Sequence, residues 1–424
     1  MSSDAPHSSS AADSGWIAQS TSSATASAAD AGGAGAGLRV RTVADAAGLD
    51  ALEPDWERLA TLHPGAGTFN GWPWNRLWWR HYGHLGELRT LVVERVAGPG
   101  ADGSGNRVVA IAPFYHARPR ALVVLRPATL RLLGTGGDTS PDDLDMLAEP
   151  AEAAAAAEVV AAHLFERSGA RRLLLEHVPA GSALLGAVER RWSARRIGRP
   201  VRTSEHRWVA ALPPTASAWH ASLSRNARKH LKRRRRRAET AGRVEHAPVT
   251  RAEELDDAFA ELVRLHRARR ASRGEGGSFA SETYRRFHRE LMEALLARGE
   301  LALSRMRLDG RTVGVEYAFR TGDALGFFQT GFDPDAAHLS PGHLMMAHLI
   351  ERGIESGARV ADFLRGDYPY KASYATERRE SVTLDGPVRA VPFSPVRIAA
   401  LRRARLRVPG AAPEAPPSGR DVPD

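Results

Sequence analysis

Residues 301–363 read LALSRMRLDGRTVGVEYAFRTGDALGFFQTGFDPDAAHLSPGHLMMAHLIERGIESGARVADF. Three runs with strand character, Leu301–Leu308, Thr312–Arg320 and Leu325–Gly331, are separated by Asp309–Gly310 and by Thr321–Asp323, which read as tight turns. Phe332–Pro341 is a loop. Leu344, Met345 and Leu349 then make the apolar stripe of a helix over Gly342–Ser356 that stops at Gly357. A short strand follows at Arg359–Phe363. Three antiparallel strands, a helix and a strand returning beside the third make a mixed α+β topology.

Working outward, the same module begins near residue 213 and ends near 390. A long helix over Ala216–Ala241 repeats Trp219, Leu223, Ala227 and Leu231 every four residues, an apolar stripe with bases on the other faces. Helices at Ala252–Arg269 and Ser281–Arg298 flank Gly274–Gly277. Pro369–Thr376 reads as a short helix and Glu380–Leu384 as a last strand. A first module spans 38–212. Its expected strands are Leu38–Val43, Leu88–Val96, Arg107–Tyr115, Leu130–Leu133, Arg171–His177 and Arg207–Leu212. Its expected helices are Leu49–Leu62, Phe69–Tyr82, Glu152–Glu166 and Ala183–Trp192, with an acidic loop at Asp138–Asp145. Residues 1–37 are Ser, Ala, Gly and Asp and read as a disordered leader; 391–424 read as a basic, then Pro-rich tail.

Composition narrows the chemistry. The 424 residues include no Cys, which removes disulfides, thiolate metal sites and a cysteine nucleophile. No run approaches ~18 apolar residues and no secretory leader is visible, so the expected compartment is the cytoplasm. The net charge of +10 is local. Arg225–Arg237 holds nine Lys or Arg without an acid and Arg397–Arg407 holds five, so the remainder is slightly acidic. Lys229, Lys232 and Lys371 are the only lysines.

The order of elements resembles the GNAT acyltransferase fold, in particular its CelD/BcsL-like branch associated with cellulose biosynthesis, which is in turn similar to the double-GNAT FemABX aminoacyltransferases. The resemblance is carried by FNGWPWNRLWWRHYG (69–83), LRLLGTGGDTSPDDLDML (130–147), SLSRNARKHLKRRRRR (222–237), TGFDPDAAHLSPGHLMMAHLIERGIESG (330–357) and DFLRGDYPYKASYA (362–375). It implies two fused GNAT-like modules, each a mostly antiparallel mixed sheet flanked by helices, the second catalytic and the first degenerate. It also implies acyl-CoA, acetyl-CoA above all, as co-substrate and an amine or hydroxyl acceptor on a cell-envelope or exopolysaccharide precursor. In such enzymes the amine attacks the thioester directly, which suits a chain without Cys. A FemABX-like transfer from aminoacyl-tRNA is the alternative, and a non-catalytic scaffold in polysaccharide assembly is a third.

Carried onto this chain, the resemblance places the CoA pyrophosphate at the start of the Gly342–Ser356 helix, with Ser340 as cap, Gly342 for close approach, and His343 and Leu344 in the first turn. Of the usual signature glycines only Gly342 is present. Glu316, Asp362, Lys371 and Tyr370 form the expected catalytic set, with Lys371 as phosphate or oxyanion partner. Arg225, Arg228 and Lys229 are the expected ligands of an anionic substrate. Arg365, Asp367 and Tyr368 complete the mouth of the cleft.

Each residue also has a plainer reading. Glu316, an acid inside VGVEYAFR, is either a base with a raised pKa or the wet face of ordinary strand alternation. Asp362 is a base or a satisfied strand end. The Ser-Pro-Gly start is a CoA site or an ordinary helix start. The Arg225–Arg237 run is a solvated face, a site for a phosphorylated substrate, or a nucleic-acid patch, with its later arginines expected on the surface. Residues 395–408 fit a weak interfacial helix on an anionic membrane or a basic tail. The aromatic cluster of Phe69–Trp79 reads as the first module's core packing on the second. No His/Asp/Glu spacing suits a metal.

Overall fold

The computed structural model describes residues 37–63, 67–96, 106–118, 128–195, 197–274, 276–366 and 368–389, all in one compact unit of the chain. Residues 1–36 of the leader, the loop between the first hairpin's strands, Asp367 and the 391–424 tail with its 395–408 segment therefore lie outside the described residues.

In the first half, β1 (Leu38–Val43) leads to α1 (Ala46–Asp50), α2 (Glu53–Leu62) and α3 (Trp72–Tyr82). Next come β2 (Gly86–Leu88), β3 (Thr90–Arg95), β4 (Arg107–Ala112), β5 (Phe114–Ala117), β6 (Thr129–Leu132), β7 (Leu147–Ala148), α4 (Ala153–Glu166), β8 (Arg172–Pro179), α5 (Ala183–Ala194) and β9 (Val201–Ala211). The second half runs α6 (Ala216–Ser222), α7 (Arg225–Ala241), β10 (Val244–Pro248), α8 (Leu255–Ala271), α9 (Glu282–Ala297), β11 (Leu301–Leu308), β12 (Arg311–Thr321), β13 (Ala324–Phe332), α10 (Pro341–Glu355), β14 (Val360–Arg365), α11 (Pro369–Ala372) and β15 (Glu377–Pro387).

The expected meander and return are present. β11, β12 and β13 pair antiparallel, and β14 lies parallel to β13 after the α10 crossover. The first half repeats the pattern, with β5 and β6 antiparallel and β8 parallel to β6 after α4. Sheets flanked by helices thus occur in both halves, and the fold is the mixed α/β one expected.

The long helix expected over Ala216–Ala241 is two helices. Leu223 and Ser224 are extended, and Ser224 Oγ accepts from the Ala227 amide, so a strong N-cap residue restarts the helix. The apolar stripe survives the break, because Trp219, Leu223 and Leu231 are all buried.

Two strands are longer than their sequence patterns suggest. β9 and β15 each run eleven residues and pair with each other in the middle of an eleven-stranded sheet, ordered β10-β11-β12-β13-β14-β9-β15-β8-β6-β5-β2. β9, from the first half, lies beside β14 of the second; β15, from the second, lies beside β8 of the first. The two halves exchange their final strands and so share one sheet.

Two cores result. One joins the first half to α8 and α9; the other lies under α6, α7 and α10. Trp74 locks the first together, with its ring 4.7 Å from Phe69, 5.0 Å from Phe287 and 6.2 Å from Phe328.

Candidate active site

β13 and β14 are in register only over Ala324–Gly326 and Val360–Asp362. Beyond that point the two strands no longer pair, although β13 continues to Phe332 and β14 to Arg365. The parting of two parallel strands in mid-sheet leaves their facing edges without ladder partners in each other. α10 starts above this parting. A Cβ on Gly314 would meet Met345 Cε at 2.7 Å and Pro341 Cβ at 3.4 Å, so this glycine lets the first turn of α10 lie directly on β12. Glu316, two residues along the same strand, shares that face.

Glu316 is 3% exposed and accepts a 2.7 Å hydrogen bond from Thr330 Oγ1, its cross-strand partner. Burial lifts its carboxyl to about 8, with the Thr330 bond and the Arg269 charge pulling the other way. The wet-face reading of Glu316 is thereby excluded. Arg269, in the last turn of α8, donates from Nη1 to the Thr330 carbonyl at 3.1 Å and lies over the Phe332 ring at 4.7 Å. Tyr370 has its phenol pushed up by burial and then by the Glu316 charge, although 39% of the residue is exposed. Its ring lies 5.8 Å from that of His343. The imidazole of His343 shares a 3.2 Å hydrogen bond with the Tyr374 hydroxyl, and burial and the Arg234 charge press it down to about 4. Glu316, Thr330, Arg269, Tyr370 and His343 therefore line one place.

The start of α10 differs from expectation at its cap. Ser340 adopts a left-handed conformation (φ 58°, ψ 52°), not the extended one that aims a cap oxygen at the helix, and its side chain makes no capping bond. Its carbonyl accepts from His343 N at 3.1 Å and Leu344 N at 3.3 Å, and the Leu344 side chain is buried in the core. The Gly342 amide has no acceptor among the described residues, and a Cβ there would touch only Thr330 Cγ2, at 3.7 Å.

Other expected ligands are engaged elsewhere. Lys371 is 4% exposed, and its ammonium donates to the carbonyls of Arg365 (2.6 Å) and Leu364 (3.1 Å). A buried ammonium needs fixed acceptors, and these two hold the left-handed Leu364 at the end of β14. Lys371 is thus a staple of the strand end. Asp362 pairs with Arg207 and accepts from the Leu364 amide at 2.9 Å, the satisfied strand end rather than the base. Arg365 is held by Asp142, by Glu205 at 2.9 Å and by the Ser140 carbonyl at 2.9 Å, all from the first half, so it joins the halves and does not face a substrate. Tyr368 is 46% exposed and stacked on Tyr370 at 6.1 Å.

On α7, Arg225, Arg228 and Lys229 stand exposed, with Arg228 donating to the Ala221 carbonyl at 2.5 Å. It is the later arginines that reach the site. Arg234 is half-buried close to Tyr374, Arg235 pairs with Glu351 of α10, and Arg237 donates to the His338 carbonyl at 2.8 Å. The helix turns this edge towards α10 because Leu231 and Ala238, one turn before and one turn after Arg234 and Arg235, are its buried residues.

A strand parting in a mixed sheet, an adjoining helix start and a buried carboxylic acid are thus brought together in the second half. Residues 225–372 match the family model described as an acetyltransferase (GNAT) domain. No curated protein matches the chain. Among solved structures, FemX is similar over 78% of this chain and 95% of its own, at 12% identity and a TM-score of 0.55, a likeness of fold alone. L-PGS from Bacillus licheniformis is covered over 97% and this chain over 83%, at 13% identity and TM-score 0.45. The tandem GNAT protein from the clavulanic acid biosynthesis pathway is covered completely and this chain over 84%, at 15% identity and TM-score 0.42.

Thr330, Arg269 and Arg234 carry no signal in the sequence that marks them as site residues. An arginine in a last helical turn looks like an ordinary complement to the helix dipole, and Arg234 is one of five in a row.

Proposed function

We propose that the protein is an N-acyltransferase that moves an acyl group from acyl-CoA, in particular acetyl-CoA, to an amine, or a hydroxyl, of a cell-envelope or exopolysaccharide precursor. The observation that carries this reading is Glu316, a buried carboxyl poised near neutrality at the strand parting and beside the start of α10. As a carboxylate it takes a proton from the acceptor ammonium. The free amine attacks the thioester carbon, the C–N bond forms and the C–S bond breaks, and the proton lost by the new amide leaves with the thiol. Tyr370, with its phenol kept protonated, is the donor to that thiol. CoA supplies the activated acyl group. The Gly342 amide, with Arg234 and Arg237 nearby, suits its phosphates. The first half acts as a wall of the acceptor site. The CelD/BcsL-like resemblance supports the polysaccharide setting.

Calorimetry with acetyl-CoA tests the donor. Saturable binding that disappears in Gly342→Trp is expected; no binding in the wild type rejects it.

One observation favours transfer from aminoacyl-tRNA as the second reading: Arg225, Arg228, Lys229, Lys232, Arg233 and Arg236 are exposed together on α7. Binding of that kind weakens by roughly 0.7–0.9 log units per phosphate contact for each tenfold rise in salt. A flat salt response removes it.

A further inference from the structure

Arg269 has an incomplete set of partners. Nη1 is satisfied by the Thr330 carbonyl and the guanidinium face by Phe332, but Nε is buried without an acceptor. Among the described residues no carboxylate lies within ion-pairing distance of it, while Arg270 and Arg273 add charge of the same sign. The acid whose charge reaches it among the described residues is Glu316, which carries its proton over most of the neutral range. A half-buried cation in that setting is unfavourable unless an anion joins it. The place where the anion would sit is defined by Thr330, whose carbonyl holds Arg269 while its hydroxyl holds Glu316. A ligand that meets both groups has its anion and its reacting nitrogen or acyl carbon only a few bonds apart.

We propose that Arg269 is a specificity residue that binds a carboxylate carried by the substrate close to the reacting centre. The inference deepens the acyltransferase reading and rests on it. The carboxylate has two possible sources, an acceptor built like an amino acid or a dicarboxylic acyl group on CoA. Either one balances Arg269 and removes its pull on Glu316, which makes that carboxylate a stronger base when substrate is bound.

The test measures binding and turnover on the full chain. Binding is followed by calorimetry and thermal shift with matched probes: L-alanine, L-glutamate and L-lysine against their α-carboxamides, and succinyl-CoA against acetyl-CoA. Turnover of the same pairs is followed by thiol release. The expected result is that one arm prefers the carboxylate probe by about tenfold or more. That preference falls to near unity in Arg269→Gln and is partly restored in Arg269→Lys, both variants keeping the wild-type circular dichroism. Preference confined to the amino acids identifies the acceptor as source; preference confined to succinyl-CoA identifies the acyl group. No carboxylate preference in binding, or one that Arg269→Gln leaves intact, overturns the proposal. Binding needs no chemistry, so selective binding without thiol release leaves the carboxylate site standing and rejects the acyltransferase reading instead.

Discussion

Thr330 donates its hydroxyl proton to Glu316 across two strands, at 2.7 Å, inside the sheet. Such a bond favours the ionised acid, while burial opposes it more strongly. In the proposed reaction the rate therefore rises with pH towards about 8 as Glu316 ionises. Thr330→Val removes the bond that stabilises the carboxylate and moves the rising limb to higher pH. Glu316→Gln lowers kcat by about 10²–10⁴ and flattens the limb. A pH–rate profile of the three proteins checks this; an unmoved limb in Thr330→Val would separate Glu316 from the base role.

The same acid makes stability depend on pH. Its folded pKa lies above the unfolded one, so the folded state holds the proton more tightly. Stability is greatest at low pH in this respect and falls as pH rises from about 4.5 through about 8. Glu316→Gln is thus expected to raise stability at pH 8.5, by an amount on the order of a few kcal/mol that shows as a higher Tm, and to do little at pH 5. Melting curves at the two pH values decide it.

Lys371→Ala removes a buried ammonium and strands the carbonyls of Leu364 and Arg365. A loss of about 1–3 kcal/mol in stability is expected, together with looser packing where β14 ends. Denaturant titration gives the stability, and kinetics on the folded fraction gives kcat. A large fall in kcat with no loss of stability would return Lys371 to the reacting centre.

Arg207 lies between Asp143, at 2.6 Å, and Asp362, and so ties the acidic loop of the first half to β14 of the second. Arg207→Met leaves two buried carboxyls side by side, an expected loss of about 3–5 kcal/mol at pH 8. Burial has already raised Asp143 to about 6. Protonation should therefore recover part of the loss by pH 5. A pH-independent defect would show that packing, not charge, dominates.

Much of the fold is legible in the residues themselves. The turns at Asp309–Gly310 and Thr321–Asp323 and the stripe on Gly342–Ser356 specify a meander, crossover and return, because each is a local pattern of residue type and spacing. Glu316 stands out for a similar reason, as a charge in an apolar strand. The roles of Lys371, Asp362 and Arg365 are not legible in this way. Their rarity or position suggests chemistry, whereas their partners are backbone carbonyls, Arg207 and the acidic loop, none of them close in sequence apart from the carbonyls.

Two features belong to the tertiary structure alone. Counting back from the Thr321–Ala324 pair sets Gln329 opposite Glu316, but the register shifts between Tyr317 and Ala318, and Thr330 takes that place instead. A bulge moves every later residue to the other face, so one extra residue decides which side chain holds the acid. The exchange of β9 and β15 between halves is the other. Sequence determined the strands, helices, apolar faces and the isolated acid, since these depend on neighbours along the chain. Strand exchange, the bulge and the partners of buried charges depend on which distant groups meet, and only the closed sheet settles that.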